Sequence, residues 1–230
     1  MGRYNFDKIV DRKHTKSLKY DFAVQRGKPA DVLPFWVADM DFEIPSELKQ
    51  VLLDRVNHGI FGYTESDDAY FNVLKEWFAS RFNWNIDKKW LVKTPGVVFA
   101  LAMAVRAFTN EGEGVLINQP VYYPFSMVID DNDRNLINVP LIQGSDTYTI
   151  DFEGVERAIV EHNVTLFLLC NPHNPVGRVW TEDELKRLGD ICIKHNVIII
   201  SDEIHADFVW DGHKHTVFAD LGESYAEHCI

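Results

Sequence analysis

Asn171-Pro172-His173-Asn174-Pro175-Val176-Gly177-Arg178 closes an apolar run over residues 165–170, and a second apolar run over 197–201 leads into Ser201-Asp202-Glu203-Ile204-His205. Between them, Thr181-Glu182-Asp183-Glu184 has the form of a capping box, with a hydroxyl at the first position and a carboxylate three residues on. The stretch therefore reads strand, turn, helix, strand. Two short strands joined through a helix of this length pair in parallel by a right-handed crossover. That unit decides the fold class: α/β.

The same alternation extends outward. Strands are expected over 114–118 and 135–141, with helices starting near Gly96, Pro124 and Asp151, so that helices cover both faces in a three-layer α/β/α domain. Upstream, residues 33–38 read as a first strand. Pro45 opens a helix running to about Val56, and Asp67 or Asp68 opens another that carries Tyr70, Val73, Leu74, Trp77 and Phe78 at helical spacing.

In a parallel sheet ligands sit beyond the carboxyl ends of the strands. Tyr122, Asn171, Asn174 and Asp202 each follow an expected strand, so all four face one rim. An amide donor and a carboxylate are what a protein needs to hold a hydroxylated pyridine ring with its nitrogen protonated, and the cofactor of that description is pyridoxal phosphate. Gly96-Val97-Val98 opens an apolar helix whose first N–H groups suit a phosphate. Tyr122 offers a ring face, with Tyr123 beside it, and Gly62-Tyr63-Thr64 adds a further aromatic. Each residue also has a plainer reading: Asp202 as a cap or structural ion pair, Asn174 as a turn former, the tyrosines as core. A zinc site from Asp202, His205, His213 and His215 is a further alternative that the polar Asp211–His215 turn disfavours.

These segments, together with Trp36-Val37-Ala38-Asp39-Met40-Asp41-Phe42, resemble the fold-type-I pyridoxal-phosphate enzymes of the class I/II aminotransferase family, in particular its MalY/PatB-type cystathionine β-lyase branch. The likeness runs through the whole chain in one register. It implies that Asn174 meets the cofactor's 3-hydroxyl and Asp202 its ring nitrogen, that Tyr122 stacks on the ring, and that Tyr123 lies near the reacting centre. Asn171 joins the cofactor segment and shapes its turn with Pro172. His205 stands where related aminotransferases carry a tyrosine. Tyr63 resembles a tyrosine that reaches a phosphate across a homodimer interface.

The resemblance implies a carbon–sulfur β-lyase for a small sulfur amino acid, with an aminotransferase, or an inactive regulatory scaffold, as alternatives. It also implies a lysine bonded to the cofactor some thirty residues after Asp202, and no match to that segment occurs before Ile230; Lys214 sits too early, in a polar turn. The expectation is thus of residues 1–44 as an N-terminal arm with part of a small domain, and 45–230 as an incomplete large domain, inactive by itself.

Composition agrees with a folded enzyme. Apolar residues are 46% and aromatics 13%, and 23 basic against 35 acidic residues leave a net charge of −12, which disfavours nucleic acid and anionic membranes. Cys170, Cys192 and Cys229 lack metal-ligand spacing. With no long apolar segment near the N-terminus, the expected location is the cytoplasm.

Overall fold

A computed structural model describes residues 4–230, so the first three residues of the N-terminal arm lie outside the description. The chain forms two compact units, Met1–Glu65 and Ser66–Ile230. The sequence reading had set its boundary between 44 and 45.

In the first unit the described residues hold one α-helix, α1 (Ser46–His58), preceded by Pro45 and closed by Gly59, whose φ of 74° is left-handed and favours glycine. The strand expected over 33–38 does not form. Pro34 offers no N–H, and Val37 adopts φ 63°, which breaks an extended run. What orders this segment is charge. Asp41 accepts bonds from Lys19 Nζ (2.9 Å), Arg12 (2.7 Å) and the Tyr20 hydroxyl (3.0 Å), and Arg12 also pairs with Asp39. The Lys19 and Arg12 cations pull the Asp41 pKa down to about 2.

The second unit contains α2 (Asp68–Phe82), α3 (Val97–Phe108), β1 (Gly114–Ile117), α4 (Pro124–Asp130), β2 (Asn135–Asn138), β3 (Ile142–Gln143), β4 (Tyr148–Thr149), α5 (Phe152–His162), β5 (Val164–Cys170), α6 (Glu182–Lys194), β6 (Ile198–Asp202) and a short α7 (Glu223–Ala226). Four strands form a parallel sheet in the order β2-β1-β5-β6. Successive strand residues point to opposite faces. Val115, Ile117, Leu166, Leu168, Cys170 and Ile200 pack with α3 and α4, while Leu116, Phe167, Leu169 and Ile199 pack with α5 and α6. Both faces are apolar because both are covered, so the three-layer α/β fold expected from the sequence is the one observed.

The local signals acted as read at α6: Thr181 and Glu184 form the capping box. β2 stops at Asn138, short of the expected 141, because Pro140 cannot donate to the ladder. The antiparallel pair β3–β4 was not foreseen, since two-residue strands carry no periodicity. Along the outer edge of β6 the chain runs parallel over residues 228–230, with Ile199 N–H donating to the His228 carbonyl (2.8 Å) and Ser201 N–H to that of Ile230 (2.9 Å). No described helix is long and apolar enough to cross a membrane.

Gly189, inside α6, is held by packing. A Cβ there would lie 2.6 Å from the Tyr225 ring and 3.0 Å from that of the buried Phe218. Helix propensity alone favours alanine by roughly 1 kcal/mol, but overpacking against two rings costs about 1–3 kcal/mol. Gly189→Ala is expected to lower the denaturation midpoint, and a raised midpoint would show that the rings yield freely.

Candidate functional site

Because β1, β5 and β6 are parallel, their C-terminal ends share an edge, and the loops that leave them carry the candidate residues. Cys170 stands opposite Asp202 in the β5–β6 register, and the Asn171 N–H continues the ladder by donating to the Asp202 carbonyl (3.0 Å). Asp202 is thus placed by the backbone at the last rung of β6. Its side chain is buried at 7% exposure, and Oδ1 accepts one bond, from the Ile204 N–H (3.1 Å). Among the described residues Oδ2 has no donor and no cation pairs with the group. Burial pushes the Asp202 pKa up, with the Ile204 N–H and the charge of His205 opposing the shift and Glu203 adding to it.

The Asn-Pro segment forms a closed turn. His173 N–H donates to the Arg178 carbonyl (2.7 Å) and Gly177 N–H to that of His173 (2.8 Å), with Gly177 at φ 72°. Arg178 reinforces it by a two-pronged pair with Glu184 at the start of α6 (2.7 Å for each oxygen) and lies over the Trp180 ring. The turn leaves the Asn174 amide half-exposed and, among the described residues, without a bond, as a ligand donor requires.

Asn171 is different, and here the structure corrects the sequence reading. It is fully buried, with Nδ2 donating to the Thr216 carbonyl (3.2 Å) and Oδ1 accepting from Trp180 N–H (3.2 Å). With a bond at each end of its amide and no exposed surface, it ties strand to loop and does not face a ligand.

A tie that sequence reasoning passed over is His173. Its Nε2–H donates to the Pro120 carbonyl (2.9 Å), joining the Asn174 turn to the turn that leads into Tyr122. Burial lowers the His173 pKa and keeps the ring neutral. Beyond Pro120, Tyr122 and Tyr123 are exposed at the head of α4, their rings 5.3 Å apart.

On the opposite layer, α3 begins at Gly96 with no side-chain cap, which leaves the first N–H groups, those of Val97 and Val98 among them, open. A Cβ on Gly96 would meet no atom within 4 Å, so there is room for a ligand against the backbone. Val97 and Asp202 line one apolar cavity of about 500 Å³, with Trp77 and Phe78 in its wall. His205 is half-buried near Phe208, Lys214 is exposed, and Tyr63 is fully exposed in the first unit. The His-x-His alternative is undone by His215, which is buried on Glu203.

An uncapped helix start, a half-exposed amide and a buried carboxylate lacking a cation match, in turn, a phosphate, a phenolic oxygen and a pyridinium nitrogen. The donor set fits pyridoxal phosphate. One consequence is measurable without it. Folding raises the Asp202 pKa above 3.8, so the native state holds that proton more tightly than the unfolded chain. Ionising the group therefore costs stability as pH rises from the unfolded value through the folded one, and the full cost persists at neutral pH. Asp202→Asn is expected to raise the Tm of the cofactor-free chain at pH 7 by roughly 2–4 °C, the effect of about 1 kcal/mol at this size, and to change nothing below about pH 3. A lowered Tm at pH 7 would mean that the carboxylate is paired after all.

Comparison with known proteins agrees with this geometry. The family described as aminotransferase class I and II matches residues 30–228. The chain is 44% identical over 223 residues to cystathionine β-lyase PatB of Bacillus subtilis, covering 97% of this chain and 58% of PatB. A PLP-bound putative aminotransferase from Clostridium difficile superposes with a TM-score of 0.93 at 43% identity, covering 98% of this chain and 58% of that one. Cystalysin from Treponema denticola, whose crystal contains pyridoxal 5'-phosphate, gives 0.91 at 40% identity with the same coverage. The chain spans somewhat more than half the length of these relatives. It belongs to the aminotransferase class I and II family.

Proposed function

We propose that this chain carries the cofactor cradle of a pyridoxal-phosphate-dependent carbon–sulfur β-lyase acting on a small sulfur amino acid such as cystathionine. The observation behind the reading is the buried carboxylate of Asp202 at the end of a parallel strand, which among the described residues has one backbone donor and no cation. Its environment is unfavourable for an anion until a cation arrives.

When bound, pyridoxal phosphate supplies a sink for the electron pair released at the substrate Cα. Asp202 Oδ2 would accept the ring N–H and hold that proton in place. The Asn174 amide would donate to the 3-oxygen, with His205 as a further group on that side. Val97 and Val98 N–H groups would take the phosphate, with the positive end of α3 behind them. Tyr122 would present its ring to the cofactor and Tyr123 its hydroxyl to the substrate. In the overall reaction the Cα–H and Cβ–S bonds break and sulfur leaves with its pair as a thiol. Water then converts the three-carbon remainder to pyruvate and ammonia.

Likeness to PatB, named a cystathionine β-lyase, favours elimination over transamination. Residues 4–65 also belong to the reading. Tyr63, exposed in that unit, would reach the phosphate site of a second copy in a homodimer. Three free cysteines suit the reducing cytoplasm.

Equilibrium titration with pyridoxal phosphate tests the cradle. Gly96→Ala is expected to weaken binding at least tenfold while leaving Tm nearly unchanged, since the new Cβ meets no protein atom within 4 Å but intrudes on the phosphate. Undiminished affinity would rule out a backbone cradle. For the reaction, the whole enzyme given cystathionine and no 2-oxo acid is expected to release pyruvate. Strict dependence on a 2-oxo acid acceptor would make it an aminotransferase.

A further inference from the structure

Glu203 follows Asp202 directly, yet no step above uses it. It is three-quarters or more buried, and every side-chain bond it makes runs inside the protein. Oε1 accepts from the Ser201 hydroxyl (2.9 Å) and the Phe218 N–H (2.9 Å), and Oε2 from His215 Nε2 (2.8 Å). A carboxylate only accepts, so the proton of the His215 ring lies on Nε2. The other nitrogen, Nδ1, is buried without a partner, and Phe82 packs edge-on to the ring.

The segment from His215 to Phe218 is thereby fastened to the end of β6. The same segment is fastened to the end of β5, because the Thr216 carbonyl accepts from Asn171 Nδ2. One strap therefore spans the two strand ends that present Asp202 and Asn174. Beyond its ladder pairing with β5, Asp202 is held by the Ile204 N–H at Oδ1 and the Asn171 N–H at its carbonyl; Ile204 follows Glu203 directly, and Asn171 is the residue tied to Thr216, so each donor adjoins one anchor of the strap.

We propose that Glu203, with His215, is a positioning residue that fixes the Asp202 carboxylate for its ligand by locking the 215–218 strap across the ends of β5 and β6. The proposal rests on the reading of Asp202 as the cofactor's partner, but the strap exists without the cofactor and can be probed without it. Charge-assisted bonds to a half-dry carboxylate are about twice as strong as neutral ones, so the three bonds to Glu203 outweigh the lone Asn171–Thr216 tie.

The test uses the full chain and amide hydrogen exchange at Ile204, Asn171 and, as a core reference, Leu168, together with pyridoxal phosphate titration. In Glu203→Leu, exchange at Ile204 and Asn171 is expected to quicken at least tenfold more than at Leu168, and cofactor affinity to fall about tenfold. Glu203→Gln keeps an acceptor for Phe218 and Ser201 and is expected to restore the exchange pattern and most of the affinity. His215→Leu leaves Glu203 its other two bonds and is expected to loosen Ile204 in the same direction by a smaller factor. That variant decides the matter should Glu203→Leu not fold. Equal quickening at all three amides, or unchanged protection of Ile204 in His215→Leu, would reduce Glu203 to general stability and overturn the proposal. If the parent chain binds no cofactor, the lyase reading fails on its own, and the exchange comparison still judges the strap.

Discussion

Parallel strand pairing buried on both faces is the constraint on which the rest of this structure depends. Parallel neighbours oblige the chain to return through a helix each time, so the strands leave the sheet in the same direction. The consequence at β1, β5 and β6 is a single edge where three loops begin, and Tyr122, Asn174 and Asp202 are all first-loop or last-rung residues. The site is a product of topology before it is a product of side chains.

Several ties then sharpen that edge. His173 binds the loop after β5 to the loop after β1, Asn171 binds it to Thr216, and Glu203 binds the end of β6 to His215 and Phe218. These groups are wholly or largely buried, and one nitrogen on each histidine is left without a partner. By contrast, Asn174, Tyr123 and the start of α3 keep unspent groups at the surface. Division of labour between spent and unspent polar groups separates what builds the rim from what a ligand can use.

Asp202 sits between the two classes, buried like a structural residue and unpaired like a functional one. Its raised pKa is the measure of that conflict. Structures tolerate such groups where a ligand resolves the cost, and the surrounding apolar core of well-packed Leu, Ile and Phe residues supplies the stability to hold the group in place.

The α/β class, the four parallel strands, the capping box at Thr181 and the rim containing Asn174 and Asp202 were legible in the sequence, because each rests on local pattern: short apolar runs between helices, capping chemistry, turn residues at strand ends. The failures were of another kind. Residues 33–38 have strand-like composition, but a strand needs a neighbour, and none pairs with them. Asn171 and Asn174 are the same residue type in the same Asn-Pro context. Only the packed structure reveals that Trp180 and Thr216 bind the first amide and that none of the described residues binds the second. The sequence does not disclose the role of Glu203, because two of its three partners lie 12 and 15 positions away. Sequence by itself determined which groups arrive at the edge of the sheet, since that follows from bonds along the chain. Tertiary structure decided which of them remain free to act, since a polar group's availability depends on neighbours that are distant in sequence.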